Sequence, residues 1–554
     1  MVCKQKESDK QKKYDKQKER ILSCVQSYAE NVLHYGRVSE DFPLFADGIY
    51  MKDKKPVRWR FPEGVECELS DMANHQTMYR NFALLSELTG EETYKKAAKE
   101  EIAYYFTHYR DESGLLMMGG HMFVDLKTRK PVGKVDKMGL HELKNCFPFY
   151  ELMFEVDAEA TEQYIEAVWN AHVFDWNTLE ISRHGEYNKE KPQAFWERQY
   201  EEYQKPEPFF EALGLSFMDA GNDLLLSAGM LAAFTGKEKP LEWAKRLLGQ
   251  YVSARDERTG LGGYQFTQPK KRMEPTNDRE TMSWFGDRAR RQFGPEFGDW
   301  VLEGRVIFPH HVECMYYKNA LMQLYLAELL GSKGEAFKKA TLDGMRAFLT
   351  YEYDFSDNGI RPMLSDGTDL SGYALKRDGY FGAKGFAYQK EEADERFLIS
   401  AFRAYQASKE EIFWEFARNV AKFRGLGDLG TQPGENVKLD PNTTCADARA
   451  LIALVELYRA TKNPDYCDEA AVVAENLLSE RYRDGWFLHP EATHLCRFDE
   501  AEPFALLLYC AALEDLPEEK LPKFLDGEAY VQGAYRNADG SVENRNYAKS
   551  FYLL

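Results

Sequence analysis

Two histidines and a glutamate are the side chains of this sequence best able to do chemistry together: His121 in GGHMFVD, Glu142 in HELKNCFPFYEL and His184 in SRHGEY. Two imidazoles and a carboxylate bind a transition metal and leave coordination positions open to a ligand. Arg183, beside His184, adds a cation that suits an anionic ligand. Separations of 21 and 42 positions are too long for a local chelate, so the fold must bring the three together. His141 beside Glu142 and His172 in WNAH compete for the same roles, and spacing alone does not choose between them. His75, His108, His310, His311, His489 and His494 are read as ordinary hydrogen-bonded histidines.

The elements that must position these residues follow a repeated grammar. Residues 69–88 (LSDMANHQTMYRNFALLSEL) read as a helix, TGEE as a turn and YKKAAKEEIAYYF as a second helix ending near Tyr109. The pattern returns at AAFTGKEKPLEWAKRLL, LAELLGSKGEAFKKATLDGM, AYQASKEEIFWEFARNV and YRATKNPDYCDEAAVVAENL. Several pairs end in a similar loop, RDESGLLMMGG, RDERTGLGGYQF, SDNGIRPML or RDGWFLHP, whose Asp and Gly suit a helix exit before a short extended segment. Helix pairs that bury one face only against their neighbours stack into a solenoid or close into a toroid, and irregular repeats with large insertions favour an enzyme barrel.

The expected fold is therefore all-α: residues 21–527 form one α/α toroid (barrel) with short β segments in its loops. Residues 1–20 are expected to be disordered or a frayed helix, and residues 528–554 a tail packing on the barrel. A helix is expected over 21–38. The stretch 41–61, rich in Pro, Gly and aromatics, reads as a long structured loop, in which Arg58, Trp59 and Arg60 either contact a saccharide or carboxylate or anchor the loop itself. His121 follows the first inter-pair loop, Glu142 opens an apolar segment expected to be helical (CFPFYELMFEV), and Arg183 and His184 follow the helix TEQYIEAVWNAHVFDW.

Bulk properties narrow the function classes. A net charge of -19 argues against nucleic acid, whose phosphates are met by clustered Lys and Arg. Local cations or a metal can still recruit an acidic ligand. Tyr and Phe recur among acidic and amide residues, as in a polar cleft with ring platforms for sugars. Cys3, Cys24, Cys67, Cys146, Cys314, Cys445, Cys467, Cys496 and Cys510 form no CxxC pair and read as isolated thiols. No apolar run reaches the length of a membrane span and no signal-peptide core is present. The expected location is cytoplasmic or periplasmic, with Cys3 a candidate lipid-bearing cysteine of an exported protein whose signal has been removed. No sustained coiled-coil seam speaks to oligomeric state.

GGHMFVD, HELKNCFPFYELMFEVD, WNAHVFDW and SRHGEY, with PLFADGI, RRQFGPEFGDWVLEG and RFDEAEPFALL, resemble segments of polysaccharide lyase family 2, the metal-dependent pectate lyases. The resemblance runs in order along nearly the whole chain, apart from the first 20 residues and the tail. It implies an α/α barrel, a divalent transition metal, most often manganese (Mn2+), on His121, Glu142 and His184, and Arg183 as catalytic base. Glu502, with Glu500 two positions away, matches a further acidic residue near the metal. The implied substrate is an anionic polysaccharide or oligosaccharide, pectate or oligogalacturonide, cleaved by β-elimination to a 4,5-unsaturated uronate end.

Free arginine holds its proton at ordinary pH, which makes Lys144 the chemically easier base. Further candidate substrate contacts are Lys144, Arg288, Arg291 and Arg305 for carboxylates and Trp169, Trp176, Trp284 and Tyr187 for sugar rings, with ion pairs and core packing as the ordinary alternatives. Competing functions are a lyase on a glucuronate glycan such as rhamnose-capped arabinogalactan, a metal-independent α/α-barrel hydrolase using Glu296 and Asp299, and a non-catalytic glycan-binding toroid. A two-His, one-carboxylate iron oxygenase fits the helical pattern poorly.

Overall fold

The computed structural model describes residues 2–61, 65–119, 121–133, 139–177, 179–198, 218–264, 288–298, 300–489, 493–527, 532–536 and 542–546. The chain is mostly helical with few, short strands, the α/α class expected from the sequence. It divides into two compact units, one made of Met1–Glu142, Cys146–Thr161 and Ala421–Leu554, the other of Leu143–Asn145 and Glu162–Val420. All five helix pairs read from the sequence are present, the first beginning at Gln76 and not at residue 69, which lies in strand Glu66–Ser70: Gln76–Thr89 with Thr93–His108, Met218–Thr235 with Glu238–Ser253, Asn319–Leu330 with Glu335–Tyr351, Arg396–Ser408 with Glu411–Phe423, and Ala448–Thr461 with Pro464–Arg481.

In the second unit the first helices of the pairs pack on one another, and in the first unit they meet through a further helix. In the first unit Glu502–Leu513 packs on both Gln76–Thr89 and Ala448–Thr461; in the second, Asn319–Leu330 packs on Met218–Thr235 and Arg396–Ser408. Burial explains the order. Met218–Ala232 and Glu502–Ala512 are buried at every position, as a helix must be when surrounded. The covering helix Glu238–Ser253 buries one stripe, with Leu241, Trp243, Ala244, Leu247, Leu248 and Tyr251 inward. At the exits, Asp111 Oδ1 accepts the N–H groups of Ser113 and Leu115 at 2.9 Å each, and Asp256 Oδ1 accepts that of Arg258 at 2.9 Å. The left-handed turn residues are Gly114 (φ 96°) and Gly260 (φ 76°).

Three local expectations are corrected. The described part of 1–20 belongs to a single helix, Val2–Asn31, which docks along Pro464–Arg481, with Tyr14 and Gln17 buried, Gln17 Nε2 donating to the Ala471 carbonyl at 2.8 Å and Lys10 paired with Asp468 at 2.6 Å. Residues 41–61 are more than loop. They supply strand Gly48–Tyr50, which pairs with Leu495–Arg497, and strand Arg58–Arg60, at the edge of a four-stranded antiparallel sheet with Glu66–Ser70, Met122–Asp125 and Lys130–Gly133. Trp59, 2% exposed, fills the apolar cluster of Val57, Phe61, Leu69 and Phe123, and Arg58 pairs with Glu66, so this stretch is scaffold. The side chain of Arg60 lies outside the described residues. The segment after Glu142 does not enter a helix until Tyr150–Val156, because Asn145 (φ 53°) and Phe147 (φ 44°) are left-handed and Pro148 follows.

Of the 528–554 tail, Gln532–Arg536 and Val542–Asn546 form an antiparallel hairpin; its packing lies outside the described residues. The eight described cysteines are free thiols, as expected, and the side chain of Cys3 lies outside the described residues. Among the described residues no helix is long and apolar enough to cross a membrane.

Candidate metal centre

His121 is set by the turn before it. Gly119 donates its N–H to Asp71 Oδ1 at 2.9 Å and is left-handed (φ 85°), and a Cβ there would stand 2.9 Å from the Glu142 carbonyl oxygen. Only glycine lets the turn before His121 approach the strand of Glu142 this closely. Strand Met122–Asp125 follows His121, and strand His141–Glu142 carries the glutamate, which is fully buried. His121 Nε2 lies 3.6 Å from Glu142 Oε2.

His184 opens the two-residue strand His184–Gly185. His172 shapes this turn: its ring meets the Ser182 carbonyl through Nδ1 at 2.8 Å, and a Cβ on Gly185 would fall 2.6 Å from its Nε2. Arg183 Nε donates to His184 Nε2 at 3.3 Å.

The ligand atoms of His121, Glu142 and His184 all lie within 4.8 Å of one another, the one such group of three or more among the described residues. Neither His141 nor His172 belongs to it. Two neutral imidazole nitrogens and a carboxylate oxygen fit a divalent transition ion such as manganese, iron or zinc. Burial pushes His141 down to about 4 although Asp111 and Glu142 pull it upward, so it stays neutral beside the glutamate.

Lys144 is buried, and its backbone N–H donates to Asp223 Oδ2 at 2.7 Å. Its neighbour Asn145 is held by Asn222 Nδ2 at 2.9 Å. Both anchors lie in the first turns of Met218–Thr235, and the sequence reading missed them; the DAGND run at the start of that helix was their only signal. Tyr187 is half-buried three positions beyond His184.

Trp169 is a correction. It is fully buried and its indole N–H donates to the Leu224 carbonyl and Ser227 Oγ at 3.2 and 3.1 Å, so it offers no face to a sugar. Trp176 packs edge-on to Trp243 at 4.9 Å in the same aromatic core. Arg305 pairs with Asp256, and Glu296 with Arg377. Trp284, Asp299 and the side chains of Arg288 and Arg291 lie outside the described residues.

Glu502, 4% exposed, opens helix Glu502–Leu513 and faces Arg481 Nε at 3.4 Å. Burial and then the Glu502 charge push Glu500 up to about 7. A second polar group accompanies Arg183: the Tyr264 hydroxyl donates to Asp219 Oδ2 at 3.1 Å, and the His311 ring stacks on Tyr264 at 4.4 Å. Burial and Asp219 hold that hydroxyl well above the ordinary tyrosine range, with the Arg183 charge opposing them.

Residues 42–534 match the sequence profile of the periplasmic pectate lyases. The chain is 33% identical over 522 residues to the pectate disaccharide-lyase of Dickeya dadantii (strain 3937), covering 93% of each chain. It belongs to the periplasmic pectate lyase family and is thereby a polysaccharide lyase, not a glycoside hydrolase or a binding toroid. Solved structures similar to it include a sugar epimerase from a ruminal bacterium (13% identity, TM-score 0.41, covering 73% of this chain and 85% of that one). Another is the unsaturated glucuronyl hydrolase of Bacillus sp. GL1 (11% identity, TM-score 0.38, covering 92% and 98%).

Proposed function

We propose that the protein cleaves pectate or short galacturonides by metal-assisted β-elimination in the periplasm, with His121, Glu142 and His184 holding a divalent ion, manganese in the native enzyme, and Arg183 acting as base. The observation that carries this reading is the convergence of the three ligand atoms with the Arg183 guanidinium against one of them. When bound, the ion supplies Lewis-acid stabilisation of the substrate carboxylate as it becomes enolate-like.

Arg183, having given up one guanidinium proton to solvent, takes the proton on C5, next to that carboxylate. The C5–H electron pair becomes the C4–C5 double bond, the C4–O bond breaks, and the leaving oxygen takes a proton from solvent. The products are an unsaturated uronate and a new chain end. Lys144, backbone-anchored by Asp223, orients the carboxylate, while Tyr187 borders the sugar and Glu502 acts near the metal through water.

The test uses metal-stripped protein on polygalacturonate and, in parallel, on a glucuronate-bearing arabinogalactan, with and without manganese, following unsaturated-product absorbance. A manganese-dependent rise on polygalacturonate that Arg183→Ala and His184→Ala abolish supports the proposal. A rise only on the glucuronate glycan replaces the substrate, and a rise independent of metal removes the metal role.

A further inference from the structure

Residues 371–390 (SGYALKRDGYFGAKGFAYQK) carry four basic residues and one acidic in a chain of net charge -19. They form a folded loop closed by backbone bonds from Leu375 to the Phe386 carbonyl and from Gly385 to the Leu375 carbonyl, each at 2.8 Å. Beneath it Leu375 and Tyr388 are buried in an apolar cluster with Phe293, Phe308 and Leu364. The loop is thus mounted on packed rings.

Its outer face is unusual in two respects. Tyr380 and Phe386 are 45% and 53% exposed, the latter the most exposed large apolar side chain among the described residues. Lys376 and Lys384 are also exposed, and neither enters an ion pair among the described residues, whereas Arg377 is taken by Glu296 and Lys390 by Asp354 and Asp357. The one carboxylate of the loop, Asp378, accepts the Lys384 backbone N–H at 2.9 Å.

A row of rings leads inward from this face. Tyr380 meets Phe381 at 5.3 Å, Phe381 meets Phe308 at 5.4 Å, Phe308 stacks on His310 at 5.8 Å, and His310 meets His311 at 4.1 Å. His311 lies on Tyr264, whose hydroxyl experiences the Arg183 charge.

We propose that the outer face of residues 371–390 docks an anionic glycan chain, with uronate carboxylates on Lys376 and Lys384 and sugar faces on Tyr380 and Phe386. Cations that are locally unneutralised attract a polyanion even on a protein of opposite net charge, and exposed aromatic faces bind apolar sugar faces at low entropic cost because few torsions are frozen. The proposal rests on the reading of the substrate as a polyuronate, but its test is binding rather than turnover.

Metal-stripped protein is run by affinity electrophoresis through gels containing polygalacturonate or a neutral galactan. We expect retardation by polygalacturonate only, and a Kd for it raised roughly tenfold by Lys376→Gln/Lys384→Gln and by Tyr380→Ala/Phe386→Ala, the lysine effect shrinking with added salt. All four side chains are exposed, so melting curves should match the parent and exclude misfolding. Parent-like binding by both double variants, or equal retardation of the parent by the neutral galactan, overturns the proposal. Lost polymer binding in the variants of a parent that makes no unsaturated product would uphold the surface and sink the catalytic reading; cleavage by the parent with parent-like binding in both variants would do the reverse.

Discussion

Two histidine–carboxylate clusters among the described residues use the same residue types, and in one of them the donor atoms converge as a metal ion would require. His75, fully buried, lies between two carboxylates: Nδ1 is 3.1 Å from Glu101 Oε2 and Nε2 is 3.4 Å from Asp47 Oδ1. Tyr79 and the Phe45 N–H also donate to Glu101, at 2.6 and 2.8 Å. Burial alone would lower His75, but Glu101 and Asp47 outweigh it and push it up to about 10, so the ring is a cation locked between anions. Around His121, Glu142 and His184 the donor atoms instead converge on one another. Like groups facing one point make a ligand set; unlike charges in alternation make an internal ion pair.

Four substitutions or conditions can break or sharpen that contrast. The largest effect should come from His184→Ala, which is expected to lower turnover of polygalacturonate on the order of a thousandfold or more while leaving the melting temperature nearly unchanged. A parallel loss of stability would mean the cluster is structural after all. His75→Ala should do the opposite: removing the partner of two buried carboxylates costs about 3–5 kcal/mol, read from denaturant unfolding, and the folded fraction keeps its metal affinity.

Gly119→Ala should be next in size. The added Cβ presses on the Glu142 carbonyl oxygen in a left-handed turn, and metal affinity measured by calorimetry is expected to fall roughly ten- to a hundredfold, against no change for Gly90→Ala, whose position opens on empty space and tests backbone strain alone.

The smallest effect is the pH response of the ion pair. The folded state holds the His75 proton more tightly than the unfolded chain, so its stabilisation is complete below about 6.5 and is lost as pH rises through about 10. Unfolding free energy should therefore decline over that interval, and His75→Gln should flatten the decline.

Much of this was legible in advance. The five helix pairs, with their Asp and Gly exits, are written in local periodicity and turn chemistry, which the chain reads from neighbours a few positions away. What failed were segments where a long-range contact overrides a local tendency. The polar stretch is part of helix Val2–Asn31 because Tyr14 and Gln17 find a partner helix more than 450 positions later. Trp169 was a candidate sugar platform by type, yet it is core because its surroundings are apolar, whereas Trp59 anchors its own stretch, one of the two roles its sequence allowed.

The sequence by itself offered the side chains that could bind a metal and, through the order of its motifs, the family the chain joins. It also determined the all-α class, because amphipathic periodicity is a property of short windows. Tertiary structure brought Glu142 and His184, and not His141 or His172, into one cluster with His121, and it set His75 between two carboxylates. Ligation depends on where nitrogen and oxygen lone pairs meet in space, and residues 21 and 42 positions apart acquire that relation only when the backbone turns at Gly119, Asn145 and Gly185 are in place.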